Sequence, residues 1–228
     1  MRGLFILALS LLSLNTFAAG SKIDIPKYDW SWKGFFGTYD RASAQRGLKV
    51  YREVCAGCHS MDLIAYRNLA DLGFSEAHIK AIAAEYLIPD GPNDEGEMFE
   101  REAIPSDRFA NPYPNVQAAR AANNGAYPPD LSLIVKARPK GADYLKALLL
   151  GYVEAPADKE VPEGQYYNKY MDGNLIAMPS PLSEGIVDYD DGTEATMDQM
   201  ATDVTTFLAW AAEPSLEDRK RIGLKVIL

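Results

Sequence analysis

A Cys-Ala-Gly-Cys-His run at residues 55–59 constrains this chain more than any other feature. Cys55 and Cys58 are its only cysteines, and a disulfide between residues three apart closes almost no loop and makes a poor structural link. Attachment of a c-type haem needs two thiols for the two vinyl groups and an adjacent imidazole for iron, and this spacing supplies all three. The run predicts one covalently bound haem c, attached through Cys55 and Cys58 with His59 on the iron.

Two other uses of a Cys-x-x-Cys pair compete with haem attachment. A thioredoxin-like dithiol sits at the start of a helix after a strand and needs a basic neighbour to stabilise a thiolate. Here the apolar pattern predicts a helix before Cys55, and the run itself contains no Lys or Arg. A zinc half-site needs two more ligands, and His78 is the only other histidine. Both alternatives are weaker than haem attachment.

Haem iron takes a sixth ligand, and the candidates are His78 and the seven methionines. Five methionines are poor candidates because they lie in the N-terminal leader, beside His59, in an acidic loop or in a core stripe: Met1, Met61, Met98, Met197 and Met200. Met171 and Met178 lie in irregular sequence far downstream. We favour Met178, because Met178-Pro179 predicts an extended arm beside an apolar stretch. A thioether ligand raises the reduction potential relative to a second imidazole.

The charge balance and the N-terminal sequence indicate the partners and the cellular compartment of this chain. The formal net charge is −9, which argues against nucleic acid as a partner because phosphates need a basic surface. Arg2, the apolar run 4–14 and the small residues around Ala18 and Ala19 have the order of a secretory signal peptide, which we place at residues 1–19. That apolar run is too short for a membrane-spanning helix. We expect an exported protein with one haem domain over residues 20–214.

Apolar spacing and capping residues predict four helices in that domain, over residues 40–54, 75–86, 143–152 and 196–212. The last is the strongest, because an apolar stripe follows a Thr196-x-x-Gln199 capping box. Residues 22–39 are aromatic and predict an extended segment on the core surface, whereas 90–115 predict a long solvated loop. A further helix is expected after Pro214, followed by apolar residues.

Beyond the haem motif, the chain carries several short strings in a fixed order over most of residues 30–228. They are Trp32-x-x-Phe35-x-Gly37-x-x-Asp40 with Arg46-Gly47, Val54-Cys-Ala-Gly-Cys-His-Ser-Met61, Ala121-Ala-Asn-Asn-Gly-Ala-Tyr-Pro-Pro-Asp-Leu-Ser132, Ile176-Ala-Met-Pro179, and Asp191-Gly-Thr-x-Ala-Thr with Phe207-x-x-Trp-Ala-Ala-Glu-Pro214. Taken together, they resemble the cytochrome c1 family, the haem subunits of the cytochrome bc1 complex. The string that ends at Ser132 is far more specific than the haem motif, which all c-type cytochromes share.

The resemblance implies a fold and a set of site residues. The fold would be mainly α, an elaborated class I cytochrome c fold with long loops. His59 and Met178 would be the axial ligands, and the carbonyl of Pro129 would contact the other nitrogen of His59. Three further residues would lie near the haem and its propionates: Asn123, Arg138 and Tyr144.

The resemblance also implies a function and a location. The chain would pass electrons from the Rieske iron–sulfur protein of a quinol-oxidising complex, which contains cytochrome b, to a soluble or membrane-bound cytochrome c. It would act as the electron-transfer subunit of a quinol:cytochrome c oxidoreductase, and the isolated chain would catalyse nothing alone. Family members continue into a membrane helix, so residues 215–228 would begin an anchor in the cell inner membrane, with the haem domain in the periplasm. The alternative is a free periplasmic shuttle or a c-type subunit of another respiratory complex.

Acidic residues are concentrated in two stretches, 90–107 and 184–203, and the second contains seven acids and no Lys or Arg. Such a patch raises the rate of encounter with a cationic partner. We therefore expect these stretches to dock a basic c-type cytochrome, the alternative being that they only keep the protein soluble.

Overall fold

The computed structural model of the chain describes residues 23–227, and the predicted signal peptide lies outside them. Within these residues the protein is mainly helical, as predicted, with two small antiparallel sheets. The elements are, in chain order, α1 (Arg41–Val50), α2 (Glu76–Ala84), β1 (Leu87–Asp90), β2 (Phe99–Glu102), α3 (Val116–Ala122), α4 (Ile134–Ala137), α5 (Ala142–Leu150), β3 (Tyr166–Tyr167), β4 (Leu175–Ile176), α6 (Met197–Ala212) and α7 (Leu216–Ile227). Short π- or 3₁₀-helical turns cover Tyr51–Cys55, Tyr66–Leu72 and Asp172–Asn174.

Helices α1 and α6 form the centre of the fold and make its most extensive helix–helix contact. Their starts follow from local capping, because the side chains of Asp40 and Thr196 accept hydrogen bonds from the amides of Ser43 and Gln199. The two backbones approach closely at Gly47, where a Cβ atom would lie 2.0 Å from the carbonyl oxygen of Asp203. A residue without a side chain is therefore required at this crossing.

A buried ionic cluster holds the same two helices together. The Asp203 carboxylate on α6 is fully buried, and it accepts hydrogen bonds from Arg46 Nε at 2.9 Å, Ser43 Oγ at 2.7 Å and Gln199 Nε2 at 3.0 Å. Arg46 also pairs with Asp191 at 2.9 Å, which connects α1 to the segment before α6. Because the buried carboxylate has several donors, its burial does not leave an unpaired charge.

Aromatic side chains fill the core beside this crossing. Tyr51 packs against Phe207, with ring centroids 5.6 Å apart, and Phe109 stacks on Tyr66 at 4.7 Å. Trp210, on the next turn of α6 after Phe207, is 1% exposed. Burying a Phe-sized side chain stabilises a fold by about 1.5–3 kcal/mol, so this cluster contributes to the stability of the core beside the α1–α6 crossing.

The loop predicted over residues 90–115 is mostly exposed as expected, although Ala103 and Phe109 are buried, and part of it is a β-hairpin. Strand β2 pairs antiparallel with β1, with Leu87 opposite Glu102 and Asp90 opposite Phe99. The prediction was wrong on this point because the strands are four residues long, charged and mostly exposed, so they carry little alternation of apolar and polar residues. Their pairing is a contact between segments rather than a local propensity.

The two ends of the described chain meet each other. Residues 23–39 form the predicted segment without regular structure, although Trp30 and Tyr39 from it are buried. The helix expected after Pro214 is present as α7, and its Glu217 accepts a hydrogen bond from the backbone amide of Tyr39 at 2.8 Å. Within residues 23–227, no helix is both long enough and apolar enough to cross a membrane.

Candidate functional site

One turn of backbone at residues 55–59, which we term the Cys turn, presents the Cys-x-x-Cys-His run. Helix α1 continues into a wider π-helical turn, closed by a hydrogen bond from the Ala56 amide to the carbonyl of Tyr51 at 2.7 Å. The amides of Cys58 and His59 then both donate to the carbonyl of Cys55, at 3.1 and 2.9 Å. Residues three and four apart on a helical turn share one face, so the two thiols and the imidazole emerge together from the end of α1.

The two thiols are free in this structure and differ in exposure: Cys55 is partly buried and Cys58 is exposed. Burial raises the pKa of the Cys55 thiol to about 12. A thioredoxin-like nucleophile requires a lowered thiol pKa, so the surroundings of Cys55 do not favour that alternative. Within residues 23–227, no group of three or more His, Cys, Asp and Glu residues could hold a metal ion. Ser75 caps α2, and its Oγ accepts a hydrogen bond from the backbone amide of His78 at 3.3 Å.

The orientation of the His59 ring is fixed from across the chain. Its Nδ1 lies 2.8 Å from the carbonyl oxygen of Pro129. A carbonyl can only accept a hydrogen bond, so Nδ1 carries the proton and Nε2 keeps its lone pair. Burial also lowers the pKa of His59, which favours the neutral imidazole, the form that binds metals. His59 is thus prepared to donate electron density through Nε2.

Asp130 holds the Pro129 carbonyl against the Cys turn, and sequence reasoning missed this residue. Its carboxylate accepts from Ser60 Oγ at 2.9 Å and from the amide of Asp62 at 2.7 Å, both just after the haem motif. The amide of Leu131 donates to the carbonyl of Ser60 at 2.9 Å, which adds a backbone bond. The available signal was the position of Asp130 in the Pro-Pro-Asp-Leu-Ser string directly after Pro129.

Asn123 approaches the Cys turn through a residue that the sequence did not indicate. Its amide Nδ2 donates to the hydroxyl of Tyr113 at 3.1 Å and to the carbonyl of Ala119 at 2.7 Å. The Tyr113 hydroxyl lies 3.9 Å from the sulfur of Cys58. Only the side chain of Tyr113 therefore separates Asn123 from the thiol of Cys58. No periodic pattern or motif in the sequence indicated Tyr113.

The remaining predicted site residues form a second group around α4 and α5. The carbonyl oxygen of Met178 accepts a hydrogen bond from the Tyr152 hydroxyl at 3.0 Å. Tyr144 donates its hydroxyl to the sulfur of Met171 at 3.5 Å, and burial raises the pKa of Tyr144 while the nearby charge of Arg138 opposes that rise. Arg138 is exposed, immediately after α4.

Direct hydrogen bonds therefore join His59 to Pro129, and Asn123 to Cys58 through Tyr113. Within residues 23–227, no hydrogen bond joins this first group to the second group, which contains Met178. Met178 and Met171 are both half-buried, whereas Met61 and Met200 are fully buried in the core.

The acidic stretch 184–203 is less concentrated in charge than its sequence predicts. Four of its seven acids pair with basic residues from α1 and α5: Asp190 with Lys49 at 3.0 Å, Asp191 and Asp203 with Arg46 at 2.9 Å each, and Asp198 with Lys146 at 3.0 Å. The stretch contains no Lys or Arg of its own, so only the packing of other elements supplies these partners. In the hairpin, Arg101 pairs with Asp90 and Asp107, while Glu95, Glu97 and Glu100 are exposed and in no ion pair of the described residues.

A family model described as "Cytochrome C1 family" matches residues 30–228. The chain is 51% identical over 221 residues to "Cytochrome c1-2, heme protein, mitochondrial" of Solanum tuberosum, which covers 95% of this chain and 85% of the relative. It is 50% identical over 222 residues to "Cytochrome c1" of Rhodospirillum rubrum, covering 90% and 82%. It is also 51% identical over 244 residues to "Cytochrome b/c1" of Bradyrhizobium diazoefficiens, covering 97% of this chain and 36% of that longer protein.

Proposed function

The chain belongs to the cytochrome C1 family, and we propose that it holds one covalently bound c-type haem and passes single electrons through it. The donor would be the Rieske iron–sulfur protein of a quinol-oxidising complex that also contains cytochrome b, and the acceptor a cytochrome c. Relatives named "Cytochrome b/c1" and "Cytochrome b-c1 complex catalytic subunit, mitochondrial" support this assignment. Catalysis of the overall reaction would need the complex, not the isolated chain.

The observation that carries the proposal is the arrangement of the Cys turn. It presents two free thiols and an imidazole whose Nε2 lone pair is available, all from one turn of backbone. This donor set fits a c-type haem, with thioether bonds from Cys55 and Cys58 and iron ligation by His59. When bound, the haem supplies a reversible one-electron iron couple. Pro129, held by Asp130, keeps the imidazole proton on Nδ1 and the ring in one orientation.

We propose Met178 as the sixth ligand. Its backbone is held by the Tyr152 hydroxyl. The residue is half-buried and lies two positions after strand β4. The competing Met171 already has its sulfur engaged by Tyr144. A thioether is a weaker donor than imidazole and raises the reduction potential, which suits a carrier that takes electrons from an iron–sulfur protein. Arg138 and Tyr144 would contact the propionates, with Asn123 near the second thioether.

The placement of the chain is also a proposal. We propose an elaborated class I cytochrome c arrangement, supported by the α1–α6 crossing at Gly47 and by the haem motif at the end of α1. After export through the signal at residues 1–19, the haem domain would face the periplasm. Helix α7 would begin an anchor in the inner membrane, so that the domain stays beside its donor.

Pyridine haemochrome analysis of the protein after acid-acetone extraction tests the function. We expect one haem per chain that resists extraction, because thioether bonds hold it. Cys55→Ala or Cys58→Ala should give loosely bound or absent haem. A wild-type protein with bound zinc and no haem would contradict the proposal.

Membership of the complex needs a separate measurement. Co-purification of the haem-loaded chain with a cytochrome b and an iron–sulfur protein is the expected result. A chain that carries haem but purifies from membranes and periplasm without them would be a free shuttle.

A further inference from the structure

Two adjacent phenylalanines stand in solvent at the tip of a loop, residues 32–37, which we term the aromatic loop. Phe36 is 81% exposed and Phe35 is 51% exposed, and their rings form a T-shaped pair with centroids 5.0 Å apart. Single exposed apolar residues are ordinary on protein surfaces. Exposed apolar residues that lie side by side are less ordinary, because contiguous apolar patches mark contacts with proteins, ligands or membranes.

The aromatic loop has a fixed shape. Lys220 Nζ on α7 donates to both of its ends, to the carbonyl of Trp32 at 2.7 Å and to that of Gly37 at 2.9 Å. A Cβ atom at Gly37 would lie 2.1 Å from the carbonyl oxygen of Lys33, so the backbone turns here as tightly as glycine allows. The exposure of Phe35 and Phe36 is therefore built into the fold.

Buried aromatic rings support this loop from below. Trp30 stacks on Trp32, with centroids 4.8 Å apart, and Trp32 lies 5.4 Å from Tyr39. The Tyr39 hydroxyl donates to the carbonyl of Ala209 on α6 at 3.0 Å. The aromatic loop is thus connected to α6 through these rings, and its base is buried while its tip is exposed.

Helix α7 extends the apolar surface. Leu224 and Ile227 follow Lys220 by four and seven residues, which places them on the side of the helix that carries the loop. Ile227 is 76% exposed, and Ile222 and Val226 on the other sides of the helix are 56% and 80% exposed. The aromatic loop, Leu224 and Ile227 therefore lie on one side of α7, which we term the apolar platform, whereas Ile222 and Val226 face away from the loop.

The charge around this platform is opposite to that of the chain. Helix α7 contains four basic residues and two acidic ones, whereas the chain carries −9. Lys33 is the only ionisable residue of the aromatic loop, and it pairs with Asp143 at 3.2 Å while its side chain stays 51% exposed. Arg219 and Arg221 pair with acids, but their side chains are 62% and 68% exposed, and such surface pairs are weak. They can therefore exchange their partners for phosphate groups.

We propose that the aromatic loop is a second membrane contact, in which Phe35 and Phe36 enter the headgroup–acyl boundary of an anionic phospholipid bilayer. Aromatic and aliphatic side chains combined with Lys and Arg are the composition of surfaces that lie in this boundary, and anionic headgroups attract basic clusters near it. The inference rests on the proposed membrane placement, but it assigns a contact that an anchor helix does not supply. Two contact points would fix the tilt of the haem domain, which a single helix leaves free.

Site-directed spin labelling tests this contact. Both native thiols are consumed by the proposed thioether bonds, so Phe36→Cys gives the full, haem-loaded chain one site for a nitroxide. The protein is bound to vesicles of phosphatidylcholine with a minority of phosphatidylglycerol, with the haem reduced. We expect oxygen, which concentrates in the bilayer, to relax this label several-fold more effectively than a water-soluble nickel chelate. A label on Met98→Cys, at an apolar site in the hairpin that is 66% exposed, should show the opposite preference.

Three results would overturn the proposal. The first is a Phe36 label as accessible to the nickel chelate on vesicles as the Met98 label. The second is a Phe36 label whose preference for oxygen over the nickel chelate is the same on pure phosphatidylcholine vesicles, because the charge argument requires anionic lipid. The third is a label that is exposed on vesicles yet immobilised and shielded from both reagents in the assembled complex, which would assign the loop to a protein partner. The haem spectrum of the same samples reports separately on the proposed electron-transfer function.

Discussion

Individual side chains would determine the reduction potential of a haem bound to this chain. His59 is oriented by a carbonyl 70 residues away, and that carbonyl is held by the Asp130 carboxylate. Such an arrangement restricts the imidazole to one tautomer and one ring plane, so the iron would meet a preorganised ligand on this side. Met178 would supply the second protein ligand to the iron, and experiment can distinguish it from the other half-buried methionine, Met171.

Replacing Met178 tests the choice of sixth ligand. Met178→Leu removes the thioether and should abolish the near-infrared band of thioether-ligated ferric haem. The reduction potential should fall, on the order of a few hundred millivolts, because thioether ligation stabilises the ferrous state. Met171→Leu is the control, since its sulfur contacts Tyr144, and it should change both properties little. A large effect of Met171→Leu with a small effect of Met178→Leu would identify the other arm as the ligand donor.

Among the helices, the close α1–α6 crossing is the contact most sensitive to volume. Gly47→Ala places a methyl group 2.0 Å from the Asp203 carbonyl oxygen and 2.8 Å from Phe207 Cβ. We expect the free energy of unfolding to fall by about 1–3 kcal/mol or more, because backbone rather than a flexible side chain must move. Urea or thermal unfolding of the haem-loaded protein measures this.

Gly223→Ala in α7 is the matched control for that substitution. A Cβ atom there meets no atom of the rest of the protein within 4 Å. Because alanine favours a helix more than glycine does, the free energy of unfolding should rise by up to about 1 kcal/mol. Equal destabilisation by both variants would mean that the α1–α6 crossing is not the cause.

Helix α7 is tied to the N-terminal segment by a pH-sensitive contact. The Glu217 carboxylate accepts from Arg41 Nη1 at 2.7 Å and Nη2 at 2.9 Å, and this pairing holds the pKa of Glu217 below its usual range. A lowered folded-state pKa stabilises the fold above the unfolded value, about 4.3, and the effect disappears as the pH falls through the folded value.

Glu217→Gln should therefore lower the free energy of unfolding at neutral pH by about 1 kcal/mol. The difference from the wild type should shrink as the pH falls below the unfolded-state pKa of about 4.3, and it should vanish below the lowered folded-state pKa, where the carboxyl group is protonated in both states. Unfolding curves across this pH range give the comparison, with Glu76→Gln as the control, because the Glu76–Lys80 pair is largely exposed. A difference that persists at acid pH would show that the charge of Glu217 is not responsible.

At the scale of the whole molecule, the position of unpaired negative charge on the surface decides where a cationic electron acceptor is attracted. Ion pairs neutralise much of stretch 184–203, whereas the exposed glutamates at the hairpin have no such partners among the described residues. We expect the hairpin to steer a basic c-type cytochrome through long-range attraction. That attraction weakens with salt, as the Debye length falls from about 10 Å at 0.1 M to about 3 Å at 1 M.

Stopped-flow oxidation of the reduced protein by a basic cytochrome tests this expectation. Replacing Glu95, Glu97 and Glu100 together by Gln should lower the second-order rate at low ionic strength and flatten its salt dependence. The control removes the same amount of charge at the acids of the second stretch that form no ion pair in the described structure, Glu184, Asp188 and Glu194, and should have a smaller effect. Equal effects of the two triple variants would leave net charge, rather than the hairpin, as the cause.

The haem motif and the well-capped helices could be predicted from sequence because their signals are local. One helical turn brings Cys55, Cys58 and His59 together whatever the rest of the chain does, and Thr196 starts α6 through a hydrogen bond to a residue three positions away. Spacing alone is sufficient for such features. The sequence also predicted a mainly helical protein, since long apolar periodicities need no partner to be recognised.

Other features depend on segments that are distant in the chain, and only folding brings them together. The Asp130 link to Ser60, the approach of Tyr113 to Cys58, and the pairing of β1 with β2 have no periodic or compositional signature. The charge of stretch 184–203 could not be judged from its own residues, because its basic partners lie on α1 and α5. Electrostatic and hydrogen-bond energies depend on distances in space, and sequence separation does not determine those distances.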